Sequence, residues 1–222
     1  ERFADEPSGF ISTKGQQIVC KYPEYATKKE IEFIKTVWNT AEAVMYDSTA
    51  TYEELSAVID VESFAKVYLI QELTKNLDGG ATSYFVSYDG GKLRADVVWD
   101  YDWTLGQYGL VYTDRVQDGS KFKDQIDADP SEEGGWYINS KKIYGGSGFN
   151  AQAALCQNEA FWSVVTAEWN ENFYSKALTI SDGTVSSVTA LDGIMLTLYN
   201  KVKASTALDE MKWGIIANDP VE

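Results

Sequence analysis

The stretch NLDGGATSYFVSYDGGKLRADVVWDYDWTLG, residues 76–106, decides how this chain is read. TSYFVSY and KLRADVVW are rich in β-branched and aromatic residues, and the DGG between them supplies a tight turn, so the segment predicts a β-hairpin. Asn76 and Asp78 stand just before the first strand, and Asp100 and Asp102 just after the second. Antiparallel pairing folds those two ends together. Strand alternation also places Asp100 and Asp102 on one face and Trp99, Tyr101 and Trp103 on the other.

A helix should feed into this hairpin. Asp60 has the residue type of an N-cap for VESFAKVYLIQELTK, whose apolar residues spread around most of the helix and mark it as central and buried. Upstream, Thr27 and Glu30 have the spacing of a capping box, and Ile31, Ile34, Trp38, Ala41 and Met45 make a stripe of helical period over 26–47. Residues 10–22 read as a turn at Lys14-Gly15 and a short strand stopped by Pro23. Downstream, 107–149 is rich in Gly, Asp, Ser and Tyr with little period, as expected of a long surface excursion. Helices are expected at 151–155, at 158–174 and near 186–204, the last with a stripe of Val188, Leu191, Met195, Leu198 and Val202.

Composition limits the chemistry. The 222 residues are 44% hydrophobic and 14% aromatic, enough for one good core, and no internal repeat or linker is visible. The net charge of -15 repels phosphate backbones and anionic surfaces, so nucleic acid is not an expected partner. No apolar run approaches the length of a membrane span, and ERFADEPSGF lacks the character of a signal peptide; a start without Met reads as a mature product or a fragment. With no histidine, Ser-His-Asp and Cys-His catalysis and His-ligated metal centres are excluded. Cys20 and Cys156 allow one long-range disulfide or, the favoured reading, two buried thiols.

Four oxygen-bearing side chains at one end of a hairpin repel one another unless a cation sits among them, and hard oxygen ligands favour Mg²⁺, Mn²⁺ or Ca²⁺. Other readings stand beside that one. A structural calcium site would normally use one tight D-x-[DN]-x-[DN]-G loop, which is missing here. In a blander reading Asp78 caps a turn, Asp102 is merely solvated and nothing is bound. A carboxylate pair can hydrolyse glycosides if about 5 to 9.5 Å apart, and Asp100-Tyr101-Asp102 has the D-x-D form that holds a metal-bound diphosphate.

ELTKNLDG, an aromatic strand and then VVWDYDWTLG together resemble the signature of the spore-coat CotH kinase family. GFISTKGQQIVCKYPEYATKKE, IDVESFAKVYLIQELTKN and LDEMKWG are also similar to family segments. The resemblance implies an α+β chain, 1–222 as one domain, forming mainly the helical larger lobe of a protein-kinase-like fold with the acidic hairpin at its centre. It implies an atypical, secreted or surface-associated kinase that uses ATP with Mg²⁺ or Mn²⁺ to phosphorylate protein Ser or Thr. Asp78 matches the catalytic-loop aspartate and Asp100 the metal-binding aspartate, with Asn76 and Asp102 in the remaining polar positions of the two motifs. Such chemistry needs no histidine. Lys21 in VCKYP, on a short strand, is the candidate for the nucleotide phosphates, without a Gly-rich loop around it. Arg94 stands about where family members carry an aromatic residue that stacks on adenine. The chain begins too late for a complete smaller lobe, so the resemblance implies weak or absent ATP binding by these residues alone. The alternative is a non-catalytic CotH-like module in a surface or scaffold assembly such as a cellulosome, with a protein partner in place of a substrate.

Overall fold

A computed structural model describes residues 6–76, 79, 83–101, 104, 138 and 151–181, and 198, 200–203, 205, 211 and 212 near the carboxy terminus. It is α+β. The chain divides into two compact units, Glu1–Glu168 and Trp169–Glu222.

The first unit opens with a hairpin of β1 (Gly9–Ile11) and β2 (Gln17–Val19), paired antiparallel with Phe10 opposite Ile18. The Lys14-Gly15 turn is where expected: Gly15 takes φ +87, a conformation that favours glycine, and its N–H donates to the Ser12 carbonyl at 3.0 Å. Two expectations need correcting. The segment holds two strands, and β2 ends at Val19, so Lys21 lies on no strand. The chain leaves the ladder after Cys20, whose N–H makes the last cross-link, to the Ser8 carbonyl at 3.2 Å.

Helix α1 (Lys28–Met45) starts on the predicted capping box, with Thr27 and Glu30 each satisfying the other's backbone N–H. Its inner face buries Trp38, Ala41 and Met45, and also one carboxylate, Glu42. That group is held by β1–β2. Its Oε1 accepts from Ser12 Oγ at 2.6 Å and Trp38 Nε1 at 3.2 Å, and its Oε2 from Lys14 N at 2.9 Å. Helix α2 (Tyr52–Val58) was not expected, although Thr51 and Glu54 form a second capping box. It buries Leu55.

Helix α3 (Val61–Thr74) is the centre of the unit, as its all-round apolar sequence predicted: nine of its fourteen residues are buried. Asp60 caps it, accepting from Ser63 N at 3.1 Å. Tyr68 packs edge-on against Phe161 and Trp162, with ring centres 6.3 and 5.6 Å away. Both belong to α5 (Glu159–Glu168), which follows the short, wholly buried α4 (Ala151–Leu155). Asn158 fixes the start of α5: its Oδ1 accepts from Phe161 N at 3.0 Å, while its Nδ2 donates to the Ala50 carbonyl at 2.8 Å. Both cysteines are buried free thiols.

The hairpin of residues 76–106 forms as read, from β3 (Phe85–Asp89) and β4 (Lys92–Val97), joined by Gly90 and Gly91 at φ +56 and +86. Positive φ at both positions is the turn whose twist suits a two-residue hairpin. Phe85 faces Val97 but Ser87 faces Arg94, so β4 carries an extra residue, a bulge. The hairpin is tied to the start of α3, where Asp60 N donates to the Leu93 carbonyl at 2.8 Å and Ala95 N donates to Ser63 Oγ at 3.1 Å.

In the second unit, a π-helical turn (Trp169–Phe173) precedes α6 (Tyr174–Ser181), with the rings of Trp169 and Tyr174 6.1 Å apart. Of the stripe expected at 186–204, Leu198 and Val202 are described; both are helical, and each is about half exposed. Val188, Leu191 and Met195 lie outside the described residues. No helix among the described residues is long and apolar enough to cross a membrane.

Candidate functional site

The first half of the site is the end of α3. Lys75 leaves the helix in the left-handed region, φ +51, and the chain closes it in the manner of a Schellman motif: Lys75 N donates to the Glu72 carbonyl at 3.2 Å and Asn76 N to the Gln71 carbonyl at 2.9 Å. Glycine is the usual residue there, and lysine costs about 1 kcal/mol more. Its ammonium meets Glu72 Oε1 at 2.9 Å. Asn76 is thereby buried, and its carbonyl accepts from Gly79 N at 3.0 Å. A Cβ on Gly79 would displace Ile138 Cδ1 and stand 3.0 Å from the Asn76 carbonyl oxygen, so the turn is tight at this glycine. Asp78 lies outside the described residues.

The second half is the base of the hairpin. Ser83, φ +48, donates through Oγ to Asp100 Oδ2 at 2.9 Å, so residues seventeen apart are joined as pairing predicted. Asp100 itself has φ +63 and lies three residues past the end of β4. The expected alternation across 99–103 is therefore corrected: extended geometry stops before Asp100. Asp100 and Trp99 are both exposed, with Trp99 edge-on to Phe85 at 6.1 Å. Asp102 and Trp103 lie outside the described residues.

Tyr101 connects the halves. Burial raises the pKa of its hydroxyl, and the Asn76 side chain beside it acts in the opposite direction, although the pair falls short of a well-formed hydrogen bond. The neighbouring Tyr84 hydroxyl is also pushed up by burial, with smaller contributions from Cys156 and Tyr101. Burial likewise raises the Cys156 thiol, and Glu72 adds to the effect. The floor of the site is thus a neutral, buried layer, and the exposed Asp100 carboxylate precedes Tyr101 in the chain. Lys75, Ser83 and Asp100 are the non-glycine residues with positive φ among those described. All three bracket this site, where strained backbone tends to gather.

Two other candidates sit in ordinary surroundings. Lys21 is half-exposed and paired with Glu6 at 2.7 Å. It lines a cavity of about 350 Å³ with Pro7, Ser8, Cys20, Glu24 and Tyr25, a lining that includes neither Asn76 nor Asp100. Arg94, in β4, reaches Asp60 Oδ2 at 2.9 Å, so its guanidinium is tied to the cap of α3. Sequence reading missed Ser83, Glu72 and Ile138. Glu72 left the one usable signal, a carboxylate in a helix that is apolar on every side.

No group of three or more acidic or cysteine side chains suited to a metal ion occurs among the described residues. Asp100 has the right donor chemistry for a hard cation, since Ser83 takes one oxygen and the side chain is open to solvent.

An α+β chain with an acidic hairpin following a buried central helix is compatible with a kinase-like fold. The family model for CotH kinase protein matches residues 3–177, and the chain belongs to that family, which makes it a kinase-like domain. No curated protein and no solved structure matches the chain.

Proposed function

We propose that the chain is mainly the larger lobe of a secreted or surface CotH-type protein kinase, one domain over 1–222, that transfers the ATP γ-phosphate to Ser or Thr of a protein substrate. The observation that carries this reading is the family match over 3–177, which spans N-x-D and W-D-x-D in order. In it, Asp78 accepts the proton of the attacking hydroxyl as its oxygen bonds to the γ-phosphorus and the bond to the bridging oxygen breaks. Asp100, with Asp102, holds Mg²⁺ or Mn²⁺, which when bound offsets charge on the phosphates. Ser83 orients the Asp100 carboxylate, Asn76 supports Asp78 and Tyr101 aligns the two loops. Lys21 serves the phosphates once freed from Glu6.

The test is intact mass after incubation with ATP and Mn²⁺ or Mg²⁺. Steps of one phosphate that vanish in Asp78→Ala are expected; an unchanged wild-type mass under both metals counts against an enzyme. A second reading, a non-catalytic surface or scaffold module, draws on Arg94, which occupies the place expected for the adenine-stacking aromatic and is paired with Asp60.

A further inference from the structure

We infer that Ile138 is a positioning residue for the turn that carries Asp78, acting jointly with Glu72; the catalytic meaning of that role rests on the function proposed above. Glu72 is nearly buried, and its two oxygens serve two different parts of the chain. Oε1 takes the ammonium of Lys75, and Oε2 accepts the backbone N–H of Ile138 at 2.8 Å from 66 residues away. Lys75 is the left-handed residue that ends α3 and delivers Asn76. Ile138 is fully buried, and its Cδ1 occupies the space that a side chain on Gly79 would need.

One carboxylate therefore grips both the start of the turn and a distant backbone, while the side chain of that backbone props the turn's far end. Lys75 has no intrinsic preference for φ +51 and persists there because its surroundings over-determine it. Ile138 engages the same turn at two points, the Glu72 carboxylate through its N–H and the side of Gly79 through Cδ1. Leu77 and Asp78 fall between Asn76 and Gly79 in sequence, so a loosened prop would be felt at the aspartate. A misplacement of about 1 Å at such a group can cost on the order of 100-fold in rate.

Hydrogen exchange at the Gly79 amide reads the prop without needing activity. In Ile138→Ala, exchange at Gly79 should rise at least ~10-fold beyond the rise in Leu55→Ala, a core truncation in α2 that leaves the turn alone. Ile138→Val, which removes the methyl facing Gly79, should fold normally and still raise exchange about three-fold. Where phosphate transfer is measurable, kcat should fall about 10- to 100-fold in Ile138→Ala while the KM for ATP stays within about two-fold, and Ile138→Leu should recover most of it. Gly79 exchange that is unchanged in Ile138→Val, or that rises equally in Leu55→Ala and Ile138→Ala, would overturn the inference. A wild type inactive with ATP but showing Ile138-dependent protection upholds the prop and removes only the kinase reading.

Discussion

Asp60 joins the two elements that carry the site, and its replacement separates two small energies. Its Oδ1 accepts from Ser63 N at 3.1 Å as the cap of α3, while its Oδ2 meets Arg94 of β4 at 2.9 Å. Losing such a cap costs about 0.5–2 kcal/mol. The ion pair is 43% and 24% exposed on its two sides, so solvent screening leaves it no more than about 0.5–1 kcal/mol. Asp60→Ala should therefore lower stability by about 1–3 kcal/mol. Asp60→Asn keeps an equivalent cap and should lose only about 0.5–1 kcal/mol. Arg94 makes an interaction beyond this pair, so the pair itself is best isolated by a double-mutant cycle of Asp60→Asn with Arg94→Met. Urea unfolding followed by far-UV circular dichroism gives the values, and the coupling should fade in 1 M salt. If Asp60→Asn cost as much as Asp60→Ala, or if the coupling were zero at low salt, the division into cap and ion pair would be wrong.

Other outcomes follow from the same contacts. Glu42→Gln turns one accepting oxygen into a donor facing Ser12, Trp38 or Lys14, and should cost about 1.5–3 kcal/mol in urea unfolding followed by tryptophan fluorescence. The folded-state pKa values of Cys156, Tyr68 and Tyr84 are all raised, chiefly by burial, from ordinary values of 9.0 and 10.0. Their contribution is complete below those values and is lost as pH rises. Stability should be flat through neutral pH, fall above about pH 9 and steepen above 10, by up to ~1.4 kcal/mol per pH unit for each group; a melting temperature constant to pH 11 would contradict it. Lys21→Ala removes a half-exposed pair with Glu6, so unfolding should shift by less than about 1 kcal/mol. If Lys21 serves the phosphates, ATP affinity should still drop measurably in that variant.

The legible parts of the fold were those written locally. Thr27 and Glu30 announced α1, Asp60 and an all-round apolar run announced α3, and DGG announced the hairpin. Helix α2 was also legible from Thr51 and Glu54, but at seven residues it made no periodic stripe to confirm it. The short β1 offered only three residues. What could not be read locally was set by contacts between distant segments. Asp100 leaves extended geometry where Ser83 binds it across the hairpin, so alternation extrapolated from β4 failed at the residue that mattered most. Ile138 carries no local sign that it reaches Glu72 and Gly79. Pro23 marks a plausible end for a strand holding Lys21, whereas β2 ends at Val19 and the last cross-link is made by Cys20. In the candidate site, pairing of the hairpin ends was foreseen and is borne out by Ser83 and Asp100; Asp78 and Asp102 lie outside the described residues.

Binding of Mn²⁺ and ATP to the wild-type chain and to Asp100→Asn, by isothermal titration at matched ionic strength, tests the account most directly. The account predicts weak, saturable ATP binding that requires Mn²⁺ and falls at least ~10-fold in Asp100→Asn, while urea unfolding shows the variant folded. Equal Mn²⁺-dependent binding by the two proteins would contradict it.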